Sequence, residues 1–260
     1  MRKYGGSVIF ATRDDHGLIE VVQDDFERSL HFGTGPKQSS MSLTDPLRLQ
    51  LSYTRAMVAP LLFQPTDPQR VLIVGLGGGS LAKFFLQHFP QCRVDAVELR
   101  PAVAQVAHDW FHLPRTPRLH IALDDAAAFM AHADAEFGDY QLILVDAFAP
   151  AGIAHTICGL AFFENCRARL ADNGILAVNL WSHDEIELDE MLETTRDGME
   201  LPVLRLPVLN KDNVIALSGK PLLQRTKRPL AERAQAWERR YEVEFPDLLK
   251  GLRKHNPLQI

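Results

Sequence analysis

Acidic residues follow three successive apolar segments of the chain, and their positions suit them to chemistry. Glu98 ends the first segment, Asp124 and Asp125 follow the second, and Asp146 follows the third. Carboxylates accept hydrogen bonds from hydroxyl and amino groups, and a carboxylate beside a reacting centre can take up a proton. We therefore expect these acids to bind a polar ligand, with Asp146 nearest to the reacting centre.

A glycine-rich turn precedes these acids. Val71 to Val74 is typical of a buried strand, Gly75, Gly77 and Gly79 come next, and Leu81 to Phe89 has apolar residues at helical spacing. Glycine allows a tight turn and lets the backbone approach a ligand closely. A strand, a glycine turn and a helix form the first unit of a nucleotide-binding α/β sheet, so we expect these glycines to bind a nucleotide.

The spacing of the acids favours an adenosyl ligand. Glu98 lies 23 residues after Gly75, which suits a carboxylate that accepts both hydroxyls of a ribose. Asp125 is placed to bind the amino group of adenine, whereas Asp124 could instead be a plain helix cap. The dinucleotide motif GxGxxG fits poorly because its last glycine is displaced. We expect Glu98, Asp124 and Asp125 to bind a single adenosyl group.

Strands and helices alternate through most of the chain, which predicts a parallel sheet with helices on both faces. Further strands are expected over residues 93–99, 119–123, 140–145 and 175–180, with a closing pair at 203–209 and 213–218. All the acids should then lie at one edge of this sheet, because parallel strands end on the same side.

The two ends of the chain have other patterns. Short alternating runs over residues 7–33 predict a small antiparallel meander, and residues 33–45 have a loop composition. Residues 43–62 are expected to form one helix with Pro46 in its first turn. Residues 229–254 are expected to form a single charged amphipathic helix. These segments would flank the sheet on either side.

Composition excludes several classes of function. The 260 residues carry a net charge of −5, which does not favour nucleic-acid binding. No run of about 20 apolar residues and no signal peptide is apparent, so neither membrane insertion nor secretion is expected. Cys92, Cys158 and Cys166 are odd in number and unpaired in spacing, which favours a reducing, cytoplasmic location. The sequence contains no HxxxH or CxxC spacing of the kind that would predict a metal site.

The motifs together resemble the spermidine synthase family, the polyamine aminopropyltransferases. The resemblance covers about residues 7–220 and depends on the segment Val71 to Leu81, Glu98, Asp125 with Phe129 and Met130, Tyr140 to Asp146, Leu170 to Asn179, and the upstream residues Gln38 and Tyr53. It implies an α/β fold with a class I S-adenosylmethionine-dependent methyltransferase-like Rossmann sheet and a small N-terminal antiparallel β domain. The expected units are residues 1–42, 43–222 and a helical extension at 223–260.

The resemblance also implies a function. The ligand would be decarboxylated S-adenosylmethionine, with Gln38 at its thioether end, and Asp146 would orient and deprotonate an attacking small-molecule amine. Judged from the residues themselves, Tyr53 and Trp181 could contact that amine, with a packing role as the alternative for Tyr53 and the favoured one for Trp181. The resemblance further implies a homodimer.

Three departures from the family motifs leave the substrate open. Gly78 and Ala149 replace acids, and Arg55 replaces an acid with a base. A polyamine carries several positive charges, and buried ammonium groups need paired carboxylates. The leading hypothesis is aminopropyl transfer to an amine. The alternatives are a methyltransferase that uses ordinary S-adenosylmethionine and a non-catalytic protein that retains the ligand site.

Overall fold

A computed structural model describes residues 1–132, 139–149, 152–153, 157, 159–182, 184–223 and 227–257. Its N-terminal part is a five-stranded antiparallel sheet in which neighbouring strands are consecutive in the chain. The strands are β1 (Arg2–Lys3), β2 (Gly6–Asp14), β3 (Gly17–Gln23), β4 (Glu27–His31) and β5 (Ser39–Ser42). The predicted meander is confirmed. The loop expected over residues 33–45 is wrong in part, because β5 pairs with β4 there.

The segment between the two sheets is less helical than expected. Only α1 (Ser52–Met57) is α-helical, and a 3₁₀-helix (Ala59–Phe63) follows it. The single helix predicted over residues 43–62 is therefore wrong. Proline disfavours helical backbone at the residue before it and cannot donate the helical hydrogen bond, so Pro60 interrupts such a helix, and residues 43–51 form turns and bends instead.

The central sheet has seven strands in the order β13-β14-β12-β9-β6-β7-β8. Its strands are β6 (Arg70–Val74), β7 (Arg93–Glu98), β8 (Leu119–Leu123), β9 (Tyr140–Val145), β12 (Leu170–Trp181), β13 (Val203–Pro207) and β14 (Asn213–Ser218). The helices are α2 (Ser80–His88), α3 (Pro101–Trp110), α4 (Ala126–Ala131), α5 (Leu160–Arg169) and α6 (Glu185–Met199), and a short pair, β10 (Phe148–Ala149) and β11 (Gly152–Ile153), follows β9. The five strands from β12 to β8 are parallel, as predicted.

Alternate residues of the central strands enter different cores. Val71 and Ile73 pack on one face of the sheet, whereas Leu72 and Val74 pack on the other. Side chains alternate across a strand, so both faces of β6 must be apolar when helices cover both. The N-terminal sheet packs its own apolar face against α3, where Leu30 meets a cluster containing Val103. This contact brings the loop before β5 to the carboxyl edge of the central sheet.

The C-terminal segment forms two helices rather than the single helix predicted over residues 229–254. These are α7 (Lys227–Tyr241) and α8 (Phe245–His255). Glu242 between them has a left-handed backbone (φ 54°), and Pro246 stands in the first turn of α8. A left-handed residue stops an α-helix, and proline is favoured at a helix start, so the chain breaks here. Among the described helices, none is long and apolar enough to cross a membrane.

Candidate active site

The glycine turn after β6 brings two strand ends into contact. Gly75 has a left-handed backbone (φ 94°), and its amide donates to the carbonyl of Val97 at 2.9 Å. The amide of Asp146 donates to the carbonyl of Val74 at 2.8 Å, and a Cβ on Gly75 would collide with the carbonyl of Asp146. Glycine is therefore required at this position, and the turn sets Asp146 beside it.

Glu98 is fixed by backbone amides at the same turn. Its Oε2 accepts from the amides of Leu76 at 3.1 Å and Gly77 at 3.4 Å, and its Oε1 accepts from the amide of Arg100 at 3.0 Å. Burial raises the pKa of Glu98, and these hydrogen bonds oppose that effect. Since a carboxylate offers about four acceptor sites, Oε1 retains capacity for a ligand hydroxyl.

Asp125, rather than Asp124, is the helix cap. Its Oδ1 accepts from the amides of Ala127 at 2.9 Å and Ala128 at 3.1 Å at the start of α4. Asp124 accepts instead from the amide of Asp125 at 2.8 Å. The suggestion that Asp124 is a plain cap is wrong, because its side chain accepts from the amide of Asp125, which precedes the first residue of α4. The other carboxylate oxygen of Asp125, Oδ2, accepts neither capping hydrogen bond, and the cap fixes its orientation.

Asp146 is the centre of a chain of polar side chains. Its Oδ1 accepts from Asn179 Nδ2 at 2.8 Å, and Asn179 Oδ1 accepts from Asn213 Nδ2 at 3.0 Å. The Tyr53 hydroxyl is shared between Asp146 and the carbonyl of Gln38, which lies 3.3 Å away. Burial raises the pKa of Asp146 to about 7, and the bonds from Asn179 and Tyr53 oppose it. A carboxyl poised in this way can exchange a proton near neutral pH.

Two of these hydrogen-bonded side chains, Asn179 and Asn213, were not among the predicted site residues. Asn179 is a buried polar residue near the carboxyl end of a strand that is otherwise apolar. A polar residue within such an apolar run is visible in the sequence. Asn213 reaches the site because β14 pairs antiparallel with β12, with Trp181 opposite Asn213. No local sequence pattern indicates that pairing.

One cavity of about 680 Å³ joins these groups. It is lined by nine of the predicted site residues: Gln38, Tyr53, Gly75, Gly77, Glu98, Asp124, Asp125, Asp146 and Trp181. The exception is Gly79, which lies outside the lining. Gly79 has a left-handed backbone (φ 73°), and a Cβ there would come within 2.8 Å of Leu113. Its glycine is therefore required by the turn into α2, and its contact with a ligand stays a prediction.

Two of the motif departures are accommodated by the protein. Arg55 is not part of the cavity lining: its Nε donates to both carboxylate oxygens of Glu244 at 2.9 Å, and its Nη1 donates to the carbonyls of Leu49 and Gln50. Arg55 therefore pairs with Glu244, the residue before α8, and not with groups of the cavity.

Gly78 is tightly enclosed. Its amide donates to Ser39 Oγ at 2.8 Å, and a Cβ would lie 2.9 Å from Ser39 Cβ and 3.0 Å from the ring of Phe111. Contacts of that length would force Ser39 or Phe111 to shift, so a side chain at this position is disfavoured. The side chains of Ala149 and Cys158, both discussed in the sequence analysis, lie outside the described residues.

Comparison with known proteins decides the family. The family model for the spermine/spermidine synthase domain matches residues 50–203. The polyamine aminopropyltransferase of Neisseria meningitidis is 35% identical over 236 residues, which cover 88% of this chain and 87% of that protein. The chain belongs to the spermine/spermidine synthase family. The named relatives of this family are transferases, and the protein is an enzyme of that class.

Solved structures agree with the fold of this family. A probable spermidine synthase from Corynebacterium glutamicum has a TM-score of 0.72 at 23% identity, covering 90% of this chain and 87% of that one. Human methyltransferase-like protein 13 in complex with SAH has a TM-score of 0.67 at 26% identity, covering 74% of this chain and 93% of that one. The methyltransferase-like Rossmann fold with an N-terminal antiparallel sheet is thus confirmed.

Within the ranges that the structure describes, no three His, Cys, Asp or Glu side chains come together as a metal site.

Proposed function

We propose that this protein transfers the aminopropyl group of decarboxylated S-adenosylmethionine to a small amine. The observation that carries the proposal is Asp146, a carboxyl with a pKa of about 7 that borders the cavity and accepts a hydrogen bond from Asn179. It stands beside the Gly75 turn, where the sulfonium ligand of this family would bind. Membership of a family whose relatives are named polyamine aminopropyltransferases supports the same reaction.

The donor would occupy the half of the cavity nearest the glycine turn. Glu98 would accept a ribose hydroxyl on Oε1, and Asp125 would accept the adenine amino group on Oδ2. Gln38 and Gly77 also line this half and would contact the thioether end. Because backbone amides fix both carboxylates before any ligand arrives, little ordering entropy would be lost on binding.

The reaction needs an amine, an aligned carbon and a proton acceptor. The nitrogen lone pair attacks the carbon bound to the sulfonium, the carbon–sulfur bond breaks, and its electrons remain on sulfur. The products are methylthioadenosine and an alkylated ammonium, whose proton passes to Asp146. The sulfonium is already a good leaving group, so the protein contributes mainly alignment and proton transfer. Tyr53, held neutral because burial and Asp146 raise its pKa, would orient the carboxylate.

Methyl transfer from ordinary S-adenosylmethionine is the second candidate. The observation that favours it is Gly78, where a glycine, crowded by Ser39 and Phe111, stands in place of the acid that would attract an aminopropyl ammonium. Without that acid, nothing at this position repels the carboxylate of the ordinary donor. The similarity to a human methyltransferase-like protein in complex with SAH also supports this alternative.

The test combines binding and product analysis. Each donor is titrated calorimetrically and then incubated with a panel of small amines, and products are identified by mass spectrometry. Methylthioadenosine formation that is lost in Asp146→Asn supports aminopropyl transfer. S-adenosylhomocysteine formation supports methyl transfer, and tight binding with neither product supports the non-catalytic hypothesis. Light scattering of the same preparation tests the proposed homodimer.

A further inference from the structure

The half of the cavity around Glu98 is built from both sheets. The central sheet supplies Glu98 and Arg100, which follow one another at the end of β7. The N-terminal sheet supplies His16 in the turn between β2 and β3, Phe32 directly after β4, and residues 36–39. The shape of this half therefore depends on how firmly the N-terminal sheet is held against the central one.

Arg100 joins the two sheets beside Glu98. Its Nε and Nη2 donate to the two carboxylate oxygens of Asp14 at 3.0 and 2.8 Å, and Nη2 also donates to the carbonyl of Gly17 at 3.0 Å. Its guanidinium lies 4.5 Å from the centre of the Phe32 ring. Paired hydrogen bonds from one guanidinium fix a carboxylate in direction as well as in distance. One side chain therefore holds both the turn before β3 and the ring of Phe32.

The ion pair between Arg100 and Asp14 is shielded from solvent. Arg100 is 6% exposed, and its hydrogen bonds lower the pKa of Asp14, which keeps the pair charged at neutral pH. Removing one partner of a shielded ion pair leaves the other charge uncompensated, so the pair resists separation. The backbone amide of Arg100 also donates to Glu98 at 3.0 Å. The same residue thus positions the N-terminal wall and the carboxylate that faces it.

We propose that Arg100 is a positioning residue for the adenosyl ligand, whose side chain holds His16 and Phe32 in place through Asp14 and the ring contact. This inference rests on the adenosyl site of the proposed function and not on which group is transferred. Asp14 is not part of the described cavity lining, so it acts on a ligand through the position of this wall. A wall that is already in place loses less ordering entropy when the ligand binds.

The experiment is a double-mutant cycle measured by calorimetric titration with methylthioadenosine, which carries the adenosyl group and the thioether. Asp14→Asn, Arg100→Met and the double variant are compared with wild type well below their melting temperatures. Each single substitution should weaken binding by about tenfold, the cost of ordering one or two side chains on binding. The double variant should bind no more weakly than either single variant, because both substitutions release the same wall.

The matched control is Asp189→Asn. It removes the partner of another arginine, Arg205, which donates to Asp189 at 3.0 Å on the exposed surface outside the described cavity lining. This variant should bind methylthioadenosine as wild type does. A loss of the same size in the control would overturn the inference, because affinity would then follow general stability.

The remaining outcomes also decide the role of Arg100. A loss in Arg100→Met without one in Asp14→Asn would mean that Arg100 contacts the ligand directly, and about a hundredfold loss in the double variant would mean two independent effects. Lowered melting temperatures with unchanged affinity would make the pair a structural contact alone. Each of these results overturns the positioning role. If Arg100→Met does not fold, the affinity of Asp14→Asn decides.

Failure of the wild-type protein to bind methylthioadenosine is a different result. It would overturn the adenosyl site itself, and with it the proposed function. The cycle therefore separates an error about Arg100 from an error about the ligand.

Discussion

Asp146→Asn should stabilise the protein at alkaline pH and not at acid pH. The pKa of Asp146 is about 7, against 3.8 for an ordinary aspartate, because burial disfavours its charged form. A carboxyl with a raised pKa contributes stability at low pH and loses it as the pH rises through the folded-state value. Asparagine keeps the size and the acceptor for Asn179 but never ionises. Above pH 7 the folded variant therefore does not pay the free-energy cost of burying a charged carboxylate.

The magnitude follows from the same pKa. Between pH 5 and the pKa, each pH unit corresponds to about 1.4 kcal/mol, or about 3 kcal/mol in total. Contact with the cavity screens the charge, and we expect about half of that, ~1.5 kcal/mol. For a chain of this size, the melting temperature of the variant relative to wild type should rise by about 4 °C between pH 5 and pH 8.

The assay is thermal unfolding of both proteins across this pH range without ligand. Asp25→Asn, at an exposed position in the loop after β3, is the matched control and should show no such pH dependence. A melting-temperature difference that stays constant from pH 5 to pH 8 would refute the reasoning, because it would mean that Asp146 ionises as easily in the folded protein as in the unfolded chain.

Three further predictions concern neighbouring positions. Gly78→Asp should destabilise the protein by about 1–3 kcal/mol through overpacking and should not improve binding of the decarboxylated donor, as denaturation and calorimetry would reveal. Arg55→Glu should lower the melting temperature, because it sets like charges against Glu244 and removes bonds to two carbonyls, and it should leave putrescine affinity unchanged. Tyr53→Phe removes a hydrogen bond that lowers the pKa of Asp146, so the acidic limb of the kcat/KM profile should move to higher pH.

The acids of the site could be predicted because strand ends are visible in the sequence. An apolar run that closes on Glu98, Asp125 or Asp146 marks a strand and its last residue together, and parallel pairing brings such ends to one edge. What each acid contacts could not be predicted in the same way. Whether Asp124 or Asp125 caps α4 depends on backbone angles that differ between adjacent residues of the same type.

Contacts between distant segments were beyond local patterns. Arg55 and Glu244 are 189 residues apart, and nothing near either one indicates the other. Asn213 joins the site only through the antiparallel pairing of β14 with β12. The helix predicted over residues 43–62 failed for a different reason: its apolar spacing was helical, but Pro60 interrupts the hydrogen bonds that such a helix requires.

The motif departures have consequences that depend on what replaced each acid. At position 78, Ser39 and Phe111 lie close to the glycine, and at position 55 the arginine pairs with Glu244. Because both positions now have protein partners, a single reversion would break an existing contact without recreating a polyamine site.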